Sequence, residues 1–215
     1  MAFCEGLSGK DKCIILFNTG IKVLRGLWYR LWLKQARGLF LVGKGVQITH
    51  AGHIHCGKSV KFEDYAEIHG LCSQGLHFGD HVTIGRGVMI RPSSYYGGDL
   101  GAGLTMGEHS SIGPHGYVGC SGKITIGNHV MFGPKCSLFA ENHVFSDTDA
   151  TIKSQGVFQK GITVEDDCWI GSNCVILDGV TIGKGSVIGA GTLVTRDVPA
   201  GSIVMDKRNK TIQNR

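Results

Sequence analysis

Ten histidines and eight cysteines are the residues of this 215-residue chain best suited to proton-transfer, metal or nucleophilic chemistry. No two cysteines form a C-x-x-C pair, so neither a zinc knuckle nor a dithiol motif is present in the sequence. Cys136, Cys168 and Cys174 each precede an aliphatic by two residues (Leu138, Ile170, Ile176). That setting predicts small, buried fillers and a reducing compartment. His81, His109 and His129 each follow Gly-Asp, Gly-Glu or Gly-Asn. They read either as one solvated corner column or as part of a zinc site completed by another subunit. His50 and His55 are equally weak as ligands. His143 lies in Glu141-Asn142-His143-Val144-Phe145-Ser146-Asp147. A histidine fixed at the base of a loop can exchange protons with a bound ligand. The plainer reading is a loop residue with no role.

The elements that position these residues follow from one period. Val164, Ile170, Ile176, Ile182, Ile188 and Val194 recur at every sixth position, with glycine following at Gly171, Gly183 and Gly189. Neither a helix nor an ordinary strand has this period. It is the signature of a parallel β-helix in which each hexad makes one short strand and one corner. Earlier sets are Ile126/Phe132/Leu138, Met106/Ile112/Val118 and Phe78/Ile84/Ile90, one triangular coil each. Less regular coils are expected around Val42, Ile48, Ile54 and around Phe62, Ile68. Glycine-rich composition, with 34 glycines and 18% charged residues, suits such a solenoid.

The breaks in the period carry functional information. Ile90 to Met106 spans 16 residues, Val118 to Ile126 eight, and Leu138 to Val164 twenty-six. Every excess follows the third hexad of its coil, so all should leave from one corner. Insertions gathered on one face mark its working face. In this register His81, His109 and His129 share a turn position that Asp167 and Gly185 continue. His143 falls at the mouth of the longest insertion, expected to be a mobile loop.

The net charge of +5 is uneven: residues 1–40 hold Lys10, Lys12, Lys22, Arg25, Arg30, Lys34 and Arg37 against Glu5 and Asp11, and the remainder sums to zero. A basic body for nucleic acid is therefore not indicated. Ile14, Phe17, Ile21, Leu24, Trp28 and Leu31 form one stripe of an amphipathic α-helix, with Gly38 as its stop. Such a helix either caps the first coil or lies on a membrane, with Trp28, Tyr29 and Trp32 at headgroup level. No secretory signal or spanning segment is visible, which predicts a cytoplasmic protein, peripheral on the inner membrane face under the second reading.

Cys168-Trp169-Ile170-Gly171-Ser172-Asn173, Gly179-Val180-Thr181-Ile182-Gly183 and Val187-Ile188-Gly189-Ala190-Gly191-Thr192-Leu193-Val194-Thr195-Arg196-Asp197-Val198-Pro199 together resemble the hexapeptide-repeat acetyltransferases. The likeness is nearest to the sugar and polysaccharide O-acetyltransferases and covers roughly residues 42–204. It implies an all-β, left-handed parallel β-helix over 42–204 with insertions at 91–105 and 142–161. An N-terminal amphipathic helical segment (1–41) and a basic tail (205–215) flank it. It also implies acetyl-CoA as donor, no metal, and a homotrimer with sites between prisms. By position, the resemblance assigns His143 as the catalytic base. Trp169, Asn142 and His115 would line the substrate pocket. Gly171, Ser172, Ala190, Thr195, Arg196 and Lys210 would contact CoA. Two departures stand out. Met205 to Ile212 lacks the family's Gly and Pro near the basic residue at Lys210, and His115 replaces an asparagine common in the acceptor pocket.

The activity so implied is transfer of acetyl from acetyl-CoA to a sugar hydroxyl in capsule, exopolysaccharide or lipopolysaccharide synthesis. N-acetylation of a nucleotide-linked amino sugar is the nearest alternative. A zinc-dependent β-helix carbonic anhydrase and a non-enzymatic scaffold are further ones, because fold alone does not decide function.

Overall fold

Side chains six residues apart can stack only if the chain completes a flat turn every three hexads. The computed structural model, which describes residues 4–92 and 100–207, has this geometry. Three parallel sheets of seven, eight and seven strands form the walls of a left-handed triangular prism. Each coil contributes one strand of two or three residues to each wall.

The register matches the hexad period. In the first sheet Cys56, Phe78, Met106, Ile126, Val164 and Ile182 stand in one column. In the second the column is Val42, Phe62, Ile84, Ile112, Phe132, Ile170, Ile188 and Val204. In the third it is Ile48, Ile68, Ile90, Val118, Leu138, Ile176 and Val194. Nearly all are buried in one continuous core. Each such burial contributes about 1.5–3 kcal/mol.

The early coils are more regular than expected. Their first-sheet column is filled by Ala36 and Cys56, which pair with each other. Ile54 lies two residues earlier on the same strand and pairs with Leu76. The solenoid therefore starts at the strand Gln35–Ala36, within the segment expected to be helical. The helix α1 (Gly9–Arg30) ends well before Gly38. The N–H groups of Leu31 and Trp32 donate back to Trp28 and Tyr29, tightening the last turn. Its start is fixed by a capping box between Ser8 and Asp11.

Corners explain the short-polar and histidine positions. His81, His109 and His129 adopt positive φ of 61°, 56° and 56°, as do Asp167 and Gly185 in the same column. Asp80 and Asp166 each accept from a backbone N–H of the coil before (Lys58, 2.8 Å; Asn128, 2.7 Å). Asn128 does the same for Glu108. The corner triplets at 79–81 and 127–129 thus combine a close-packing glycine, an inter-coil acceptor and a left-handed histidine, and 107–109 shares the glycine and the histidine. The His109 ring stacks on His81 and on His129 at 4.6 and 5.2 Å.

Candidate active site

The corner between the third and first sheets carries every long excursion. His143 sits at the start of the longest. The strand Asn142–His143 pairs antiparallel with Val157–Phe158, placing His143 opposite Val157. Val144 N–H donates to Gly156 O at 3.0 Å. A short 3-10 helix, Ile152–Gln155, fills the tip, and Gln155 bonds to both the N–H and the carbonyl of Asp147. The expected mobile loop is therefore a braced hairpin. Its backbone bonds hold the Cα of His143 against the returning strand Val157–Phe158. The imidazole itself is exposed, and no described side chain hydrogen-bonds to it. Phe145, Ile152, Val157 and Phe158 expose an apolar ledge on the same hairpin.

Two coils further along, Thr195 and Arg196 leave the third sheet at this same corner. Coils rise about 4.8 Å each, so these residues stand roughly 10 Å from the base of the hairpin along the axis. Both are exposed and line a cleft of about 580 Å³ running from Leu193 to Asp206.

The other expected site residues lie elsewhere on the prism. Trp169 is on the outer face of the second sheet between Met131 and Val187, 54% exposed. Gly171, Ser172 and Ala190 follow at the next corner. A Cβ on Gly171 would sit 2.6 Å from Ala190 N, so a side chain there would push the two coils apart. His115 occupies the left-handed position of that corner, φ 59°, above Gly87. One chain thus divides these residues between two corners: His115, Gly171, Ser172 and Ala190 at one, His143, Thr195 and Arg196 at the other. Lys210 lies outside the described residues.

Three of the cysteines are buried fillers with hydrogen bonds that the sequence did not reveal, whereas Cys4 and Cys13 are exposed. Cys136, Cys168 and Cys174 donate to the carbonyls of Gly171, Gly183 and Gly189 at 3.1, 3.3 and 3.1 Å. Burial raises the Cys168 thiol pKa, which keeps it protonated. Among the described residues, no group of three or more His, Cys, Asp and Glu is placed to hold a metal ion.

With this geometry the likenesses can be read. A family model described as "Bacterial transferase hexapeptide (six repeats)" matches residues 161–196, two successive coils of the prism with six strands between them. That stretch therefore carries the hexapeptide repeat the model describes. The chain's relatives include the galactoside O-acetyltransferase of Lactococcus lactis, 43% identical over 77 residues, 35% of this chain and 36% of that protein. The galactoside O-acetyltransferase of Escherichia coli is 31% identical over 119 residues, 55% of this chain and 56% of that one. The aligned parts therefore span little more than half of either relative at most. Among solved structures, a mutant of AntD, an N-acyltransferase from Bacillus cereus in complex with dTDP-4-amino-4,6-dideoxyglucose and coenzyme A, superposes with a TM-score of 0.56. It covers 89% of this chain and 88% of that one at 14% identity, which speaks to the fold alone.

Proposed function

We propose that this hexapeptide-repeat protein is an acetyl-CoA-dependent O-acetyltransferase acting on a sugar hydroxyl, in the synthesis of a capsule, exopolysaccharide or lipopolysaccharide. The observation that carries the reading is His143, pinned by its hairpin on the corner that also bears the Thr195–Arg196 cleft. One end of an extended donor would lie in the cleft near Arg196, and its thioester would reach the hairpin.

The reaction is direct transfer in a ternary complex. The acceptor oxygen attacks the thioester carbonyl carbon while His143 takes its proton. Collapse of the tetrahedral intermediate breaks the C–S bond, and the leaving CoA sulfur receives the proton back from His143. A positioned base contributes roughly 10²–10⁴-fold, and orientation supplies much of the rest. A main-chain N–H beside the groove would stabilise the oxyanion. The exposed rings of Phe145 and Phe158 offer an apolar surface to a sugar face.

The division of the site residues between two corners supports a homotrimer. A second prism would set its Trp169 and Ser172 corner against the His143 corner of the first. Light scattering should then give three times the 23.0 kDa chain mass. For the activity, thiol release from acetyl-CoA should require a carbohydrate acceptor and persist after chelation. His143→Ala should lower turnover by roughly 10²-fold or more with an unchanged melting transition. Near wild-type turnover in the folded variant would sink this mechanism. A product acetylated on nitrogen would move the assignment to an amino-sugar enzyme.

A further inference from the structure

Helix α1 is attached to the solenoid by a face that the apolar pattern does not predict. Ile15, Thr19, Lys22, Gly26 and Tyr29 form the contacting stripe, and Gly26 is the one buried residue of the helix. A Cβ at Gly26 would meet Phe40 O at 1.7 Å, so the helix backbone rests directly on the first coil. Polar bonds fix the seat. Lys22 pairs with Glu63, Tyr29 Oη donates to Val46 O at 3.1 Å, and Arg30 Nη1 donates to Gly38 O at 3.1 Å.

The apolar stripe consequently points away. Leu31 is 74% exposed and Phe17 69%, Leu24 and Trp28 are nearly as open, Ile14 is 49% exposed, and Ile21 is half-buried at the edge of the stripe. Leu16, Leu27 and Trp32 widen the same surface. At 100° per residue, Lys12 and Arg30 fall along one edge of it and Arg25 along the other, with Lys10 at its start. The only acids in the first 40 residues are Glu5 and Asp11, and Asp11 is used in the cap. No described helix is long and apolar enough to cross a membrane.

We infer that this outward face docks on an anionic lipid surface, the helix lying in the headgroup plane. An apolar face flanked on both sides by cations, with two tryptophans on it, is complementary to acyl chains below negative headgroups. A second copy fits less well, because two such faces brought together would oppose rims of the same sign. The inference stands apart from the proposed activity, since its test reads binding and not turnover.

The full chain would be sedimented with vesicles of phosphatidylglycerol and phosphatidylcholine, and with phosphatidylcholine alone, at low and high salt. Binding to the anionic vesicles at low salt should be at least tenfold tighter than to the neutral ones. Salt should weaken it, and tryptophan emission should shift to the blue. The triple variant Phe17→Ser, Leu24→Ser, Trp28→Ser should lose that binding at least tenfold, with an unchanged melting transition and assembly mass. Lys10→Glu with Arg25→Glu should weaken only the anionic binding. The proposal is overturned if wild-type protein stays in the supernatant at low salt, or binds both vesicles equally. A smaller assembly in the triple variant would also overturn it, by assigning the face to a copy of the chain.

Discussion

The coils and helix α1 each carry one clean apolar stripe, and the stripes face opposite ways. In the coils the six-residue column points into the prism; in α1 the Ile14-to-Leu31 stripe points outward. A strand in a coil has no choice. Its backbone bonds run to the coils on both sides, so the walls close and one side chain in each short strand must face inward. A helix satisfies its own backbone, and nothing local decides which face meets the neighbour. Here that was decided by close approach at Gly26 and by the Lys22–Glu63 pair. Periodicity says which residues share a face, and only backbone constraint says what covers it.

Substitutions can break or sharpen this contrast. The largest effect is expected from Ile182→Ala, a fully buried column residue, at roughly 2–5 kcal/mol by denaturant unfolding. Gly26→Ala comes next. Its methyl would collide with the Phe40 carbonyl, so the helix must lift, at a cost of about 1–3 kcal/mol. Protease cleavage within residues 9–34 should accelerate in that variant, and wild-type resistance would contradict the seating described. A smaller effect concerns acid. His55 stacks on His77 at 4.4 Å, and its pKa lies below the usual value because of burial, then His77 and Lys34. With the folded pKa lowered, the stability it contributes is present above the unfolded value. It is lost as pH falls from about 6.5 towards the folded value. The melting temperature should drop between pH 7.5 and 5.5, and less so in His55→Gln. Leu24→Ser should be near neutral, within about 0.5 kcal/mol, because the side chain touches little. A loss as large as that of Ile182→Ala would place Leu24 in a protein interface.

The legible parts of this molecule are those fixed by stacking. The columns from Phe78 to Val194, the common exit corner, the histidine ladder and the cysteine fillers all follow from a six-residue register. Ile54 was read as the column residue of its strand because Cys56, which fills that column with Ala36, does not fit the aliphatic marker. The brace behind His143 was missed because two-residue strands such as Val157–Phe158 leave no periodic trace. Its one local cue is Gly156 at positive φ, just before them. The separation of His115 from His143 was computable from the hexads, since His115 follows a second-wall aliphatic and His143 a third-wall one. Under the proposed function, the choice of acceptor would rest on the hairpin side chains, which carry no repeat to read.

The single exit corner has a consequence for how such a protein can change. Each coil contacts only its neighbours, and excursions leave where no column residue is displaced. Lengthening a loop there costs little more than closure entropy, about 0.6 kcal/mol per doubling. The prism can therefore keep its walls and its cleft while the 142–161 hairpin is rewritten. If the proposed function holds, acceptor preference becomes a separable trait, open to drift in a lineage or to grafting at the bench, without renegotiating the fold.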